Sequence, residues 1–151
     1  MQTELQRITT LLQKAFVKNA WHGPSVIEVL NAITPEQTME RIGHAHTIIE
    51  LVSHMTAWKV FAIKKLEGDN HYKVSDELNF PSPSDWDQVV TELKESQEKL
   101  LQAIHHFPEA QLHDEVPHST HHYTFYTLLH GIIQHDLYHL GQIVLITKAT
   151  S

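Results

Sequence analysis

Residues 44–69 read "HAHTIIELVSHMTAWKVFAIKKLEGD". Thr47 followed by Glu50 is a capping-box pair, which predicts a helix start at this point. Ile48, Leu51, Val52, Met55, Trp58, Ala62 and Leu66 then recur at helical spacing and make one apolar stripe. The helix is predicted to run to about Glu67 and to stop at Gly68. Such a stripe must be covered by other helices, and the chain supplies three. Leu5, Ile8, Leu11, Leu12, Ala15 and Phe16 place a first helix over roughly residues 2–19. Ser84 with Asp87 marks the start of another, which Pro108 ends after Phe107. A last helix runs from about Thr124 to Lys148. Between them, Gly23 and Pro24 break the chain. "SVIEVLNAI" makes a short helix, and Thr34, Pro35 and Gln37 form a further helix start. No stretch has the two-residue alternation of a strand. The expected fold is all-α: a four-helix bundle in one domain over residues 1–151, with long connections that permit crossovers.

Bulk properties narrow the function. The chain has 151 residues and a net charge of -7, with no basic cluster. That balance argues against nucleic acid as a partner, because phosphate binding needs a basic face. No apolar run is long enough to span a membrane, and the amphipathic start "MQTELQRITTLLQK" has no signal-peptide core, so a cytoplasmic location is expected. There is no cysteine, which removes disulfides, zinc-thiolate sites and a cysteine nucleophile together. Histidine is the anomaly: fourteen outnumber the eleven Lys and Arg.

Helical geometry sorts the densest group, "HGIIQHDLYHLGQI" at residues 130–143. Each residue turns about 100° on a helix, so His135 and His139 stack one turn apart and can share a metal ion. His130 points elsewhere and is not expected to join them. The pair has the spacing of a zincin motif, but Asp136 stands where that motif has Glu. With twelve residues after His139, a third ligand is expected upstream. His54 is the candidate: it lies at the edge of the stripe, between the directions of Leu51 and Phe61. Three neutral imidazoles would leave a position open for water or substrate.

These residues carry a resemblance. "SHMTAWKVFAIKKLEGD" followed far downstream by "QHDLYHLGQI" resembles the DinB-like superfamily of small metal-binding bundles, with its YfiT-like proteins and transferases acting with bacillithiol or mycothiol. "AWHGPSVIEVL" is similar to one branch of it. The resemblance implies an up-down-down-up bundle, often a homodimer, that holds zinc or nickel on three histidines. These fall at His54, His135 and His139 here.

Other residues are supporting candidates. Asp136 points into the apolar face of the last helix and needs a partner; anchoring another helix is favoured over orienting a ligand. Gln142 lies near the direction of His135 and is placed either to hydrogen-bond close to the metal or simply to face solvent, with neither role favoured. Gly141 is expected to allow close helix packing; Tyr138 is a pocket candidate through its phenolic hydroxyl, with packing in the core the favoured role. His22 is a pocket candidate, although a histidine in a turn is usually solvated. His46 is a staple candidate. Trp21, Trp58 and Trp86 are expected to be packing residues. Most of His105, His106, His113, His118, His121 and His122 are expected to be exposed, with one of "HSTHHY" a candidate for a pocket mouth. Two classes of function follow. One is a metalloenzyme that activates a low-molecular-weight thiol or water against a small-molecule substrate. The other is a non-catalytic, metal-stabilised or ligand-binding bundle.

Overall fold

A computed structural model describes residues 1–151. It is all-helical. Four long helices, α1 (Glu4–Phe16), α3 (Ile48–Leu66), α5 (Trp86–His106) and α6 (Phe125–Ala149), are joined by the short α2 (Val26–Asn31) and α4 (Asp76–Asn79). Single 3₁₀ segments cover Pro35–Met39 and Glu109–Gln111.

Local chemistry sets the helix starts. Thr3, Ser25 and Thr47 each cap the N–H of the residue three on, and Gln6, Glu28 and Glu50 return the bond to the cap backbone. Asp85, rather than Ser84, caps α5 through the Gln88 N–H. Thr124 caps α6. The start at Thr34 leads only into a 3₁₀ turn. The first helix is shorter than its pattern predicts, and Leu11 on it is exposed.

α3 packs on α5 and α6, and α1 packs on the same two helices. The buried apolar residues fall into two clusters. The first joins Leu5, Ile8 and Leu12 to Ala62, Leu100, Ile104, Leu129 and Ile132. The second joins Phe16 to Ile48, Val52, Met55, Val89, Leu93, Leu140 and Ile143. Between them in sequence, on three of the long helices, lie the buried polar residues Lys59, Gln97 and Asp136. Lys59 is wholly buried, and its Nζ donates to Asp136 Oδ2 at 2.5 Å and to Gln97 Oε1 at 2.8 Å. Its ammonium also sits 5.1 Å from the Phe16 ring centroid. A charged layer therefore lies where the apolar stripes of α3 and α6 would otherwise be continuous.

Several packing expectations need correction. Trp21 is fully exposed, in a turn that offers it no partner. Tyr138 is 67% exposed, because position 138 faces away from the core that buries Asp136 and Leu140. A Cβ at Gly141 would meet nothing within 4 Å, so this glycine does not serve close packing. Trp58 and Trp86 are half-buried against the core.

Candidate metal centre

Three imidazoles meet on the inner edge of α3 and α6. His54 Nε2 lies 3.0 Å from His135 Nε2, and His139 Nε2 lies 3.1 Å from the same atom. The three residues form a group whose ligand atoms all lie within 4.8 Å of one another. Around a tetrahedral zinc with Zn–N near 2.0–2.1 Å, neighbouring nitrogens stand about 3.3 Å apart. The two separations from His135 are within a few tenths of an ångström of that.

The opposite ring nitrogens set the tautomers. His54 Nδ1 donates to the Asn79 carbonyl at 2.6 Å. His139 Nδ1 donates to Gln142 Oε1 at 2.6 Å. Both acceptors can only accept, so both Nδ1 atoms carry the proton and both Nε2 atoms present lone pairs. These are the outer partners that hold metal-binding histidines in place. His135 Nδ1 is buried without a partner.

Burial pushes all three histidines toward the neutral form. His135 is pushed down to about 3, by burial first and then by His139, His54 and Lys59. His54 is lowered by burial, against the opposing bond to Asn79. His139 is lowered by burial, against Gln142 and Asp136. Neutral imidazoles with converging lone pairs repel one another unless a cation lies between them, and neutral imidazole is the form that binds metal.

Short α4 matters here out of proportion to its length. Ser75 caps it, it ends at Asn79, and the chain then turns into Phe80. Asn79 accepts from His54 through its carbonyl and from Trp58 Nε1 through its side chain at 2.9 Å. Phe80 is sandwiched between His54, at 4.0 Å between ring centroids, and His46, at 3.6 Å. His46 thus props the site from outside through Phe80, and it also pairs with Glu50 at 3.5 Å.

The remaining candidates separate clearly. Asp136 turns to Lys59 and not to a ligand imidazole; burial raises its proton affinity and Lys59 opposes that. Gln142 contacts His139 as described. Tyr138 has its ring 5.0 Å from that of His139 but is exposed. His22 is exposed, away from the cluster, and closes its own turn by donating to the Pro24 carbonyl at 3.0 Å. His130 packs on Tyr126 at 4.4 Å instead of joining the centre. All six histidines of the 105–122 region are exposed.

Sequence reasoning missed Asn79, Phe80, Lys59 and Gln97. The "SDELN" start of α4 is readable, but four residues carry no periodicity. Lys59 had a usable signal: it occupies the stripe position between Met55 and Ala62, facing an acid at the matching place on α6.

Two cavities open beside the centre. One of about 390 Å³ is lined by His46, Phe80, His139, Gln142 and Tyr138. The other, of about 240 Å³, is lined by Trp58, Phe61, Tyr123, Gly131 and His135. A larger cavity, about 680 Å³, lies far from these between α1 and the end of α5, and holds none of the three histidines. Size is the weaker criterion here: perturbed titratable groups mark the two smaller cavities.

The sequence profile of the DinB superfamily matches residues 20–143. The chain belongs to the DinB superfamily. The match leaves out α1 but takes in α4 and every residue of the three-histidine group. No curated protein and no solved structure matches the chain. Within this DinB-superfamily bundle, a three-histidine group able to hold a metal ion thus coincides with the matched segment.

Proposed function

We propose that this protein is a metalloenzyme holding one divalent ion, zinc or nickel, on His54, His135 and His139. One observation carries the proposal: the Nε2 atoms of His54 and His139 each lie about 3 Å from that of His135, while the Nδ1 protons of His54 and His139 are committed to fixed acceptors. A bound divalent ion supplies Lewis acidity, which lowers the proton affinity of a small thiol or a water. The protein's own residues do the rest. Asn79 and Gln142 fix the imidazoles. Phe80, between His46 and His54, keeps the centre dry on one side. Trp58 and Phe61 wall the approach to His135. The adjoining cavities favour substrate access over a purely structural centre. The reaction class is transfer of a thiol, or hydrolysis, on a small-molecule substrate.

We also read the bundle as one up-down-down-up domain acting in the cytoplasm. The N-terminal half of α6 and the C-terminal halves of α3 and α5 share one apolar cluster with α1 from Leu5 to Ala15, while Phe16 at the C-terminal end of α1 joins the other cluster, which supports that order. A homodimer would cover the exposed Tyr138, Leu145 and Ile42 beside the His139 cavity. No helix is long and apolar enough to cross a membrane.

Elemental analysis of protein purified without a metal-affinity column tests the centre. One divalent ion per chain is expected, falling to a small residue in His135→Ala. Full occupancy in that variant would overturn the assignment. Screening small thiols with electrophiles, alongside esters, then assigns the reaction class.

A further inference from the structure

The cavity beside His135 does not end at Trp58 and Phe61. Those two residues and Tyr123 also line a neighbouring cavity of about 390 Å³, so the two share a wall. The second cavity differs in its electrostatics. Lys65, Lys73, His118 and His121 line it, and no Asp or Glu does. In a chain of net charge -7 that is a local inversion. Lys65 is buried apart from 3% of its surface, yet it has no carboxylate partner; its ammonium donates to the Asn70 carbonyl at 2.5 Å. Ser119 Oγ in the same wall is buried without a hydrogen-bond partner.

His54, Trp58, Phe61 and Lys65 follow one another along one face of α3. The His135 and Trp58 ring centroids are 6.0 Å apart, those of Trp58 and Phe61 are 5.2 Å apart, and Lys65 Nζ stands 5.5 Å from the Phe61 ring. From His54 to Lys65 the backbone rises roughly 16 Å. The path thus begins at the histidine centre, passes an aromatic neck, and ends at cations.

We propose that the substrate is an elongated amphiphilic anion: its reacting end lies at the histidine centre, its apolar middle crosses Trp58 and Phe61, and its oxyanion, a carboxylate or phosphate, sits between Lys65 and Lys73. The proposal rests on the metal centre above for the position of the reacting end only. Burial lowers the proton affinity of Lys65; Asp69, outside the cavity lining, opposes this, and Lys73 repels the ammonium more weakly. An oxyanion between the two ammonium groups relieves that repulsion and is desolvated on one side, where charge-assisted bonds are strongest.

Calorimetry on the metal-loaded protein at low salt tests this with four probes: 8-mercaptooctanoate, 8-mercaptooctyl phosphate, the neutral 8-mercaptooctanol, and thiol-free octanoate. At least one charged thiol should bind tenfold or more tightly than the neutral one, and the better of the two names the oxyanion. Lys73→Gln, at an exposed position, should cut that preference at least threefold and leave mercaptooctanol binding unchanged. Lys65→Met should cut it further, with circular dichroism reporting whether the fold is kept. Equal binding of charged and neutral thiols, or a preference that Lys73→Gln leaves intact, would overturn the proposal. The two readings fail separately. If octanoate binds as tightly as mercaptooctanoate and still depends on Lys73, the anion site stands and the thiol role of the centre fails.

Discussion

Replacing Lys59 by Met removes the only cation facing a buried carboxylate. Lys59 is wholly buried and Asp136 is 2% exposed, so water cannot substitute for the lost ammonium. Taking away one member of a buried ion pair costs about 3–5 kcal/mol, because the other charge is left uncompensated. A domain of this size is stable by about 5–15 kcal/mol in all, so the variant should lose roughly a fifth or more of its stability. Asp136 Oδ1 already lacks a partner, and Gln97 Oε1 would lose its donor, which argues for the upper part of the range. The double variant Lys59→Met with Asp136→Val removes both charges and should return to within about 1–2 kcal/mol of the native protein. Urea denaturation followed by circular dichroism at pH 7 reads both. The pH dependence adds a signed check. Burial raises the proton affinity of Asp136, and in the single variant Lys59 no longer opposes it. The folded variant then keeps a proton that the unfolded chain, with Asp near 3.9, releases. Its deficit relative to the native chain should shrink as the pH falls from about 7 toward 5. A single variant that costs under about 1 kcal/mol, or a double variant as unstable as the sum of its parts, would refute a compensated buried pair.

Two further outcomes concern the histidine centre. Gln142→Ala leaves His139 Nδ1 without its acceptor and should weaken metal binding by about 10–100-fold in a competition titration with a chelating dye, whereas Gln142→Glu should retain it; unchanged affinity in the alanine variant would remove Gln142 from the site. With the metal stripped by chelator, His54, His135 and His139 are all held below their ordinary range, so the unfolded chain, titrating near 6.5, takes up more protons than the folded one as the pH falls from there toward the value of about 3 at His135. The urea midpoint should therefore drop between about pH 7 and 5, above the range where carboxylates titrate; a flat midpoint would mean that the three imidazoles are not buried neutral.

The helices were legible because their signals are local. Thr47 with Glu50, and the stripe from Ile48 to Leu66, need no knowledge of the rest of the chain. The grouping of His54 with His135 and His139 rested on edge positions of two stripes together with a resemblance, and the structure brings the three side chains into contact. What stayed hidden depends on tertiary context. Asn79 contributes mainly a backbone carbonyl, which has no residue type to notice. Phe80 and His46 gain their role from a stack that forms only when α4 folds over α3. Lys59 was hidden by its type, since a lysine on an otherwise apolar face is ordinarily assigned to solvent. Trp21 and Tyr138 erred the other way: aromatic character suggested packing, but their positions offer nothing to pack against.

The charged layer also acts as an alignment key. Slipping α6 by one turn along α3 would move Asp136 about 5.4 Å from Lys59 and strand both charges in apolar surroundings. The same slip would carry His135 and His139 one turn past His54 and take the centre apart. An apolar seam alone would tolerate such a slip with modest loss, as one leucine replaces another. In this bundle the misaligned state is penalised by the residue between the two histidines, so any sequence drift that keeps the helices in step also keeps the imidazoles together.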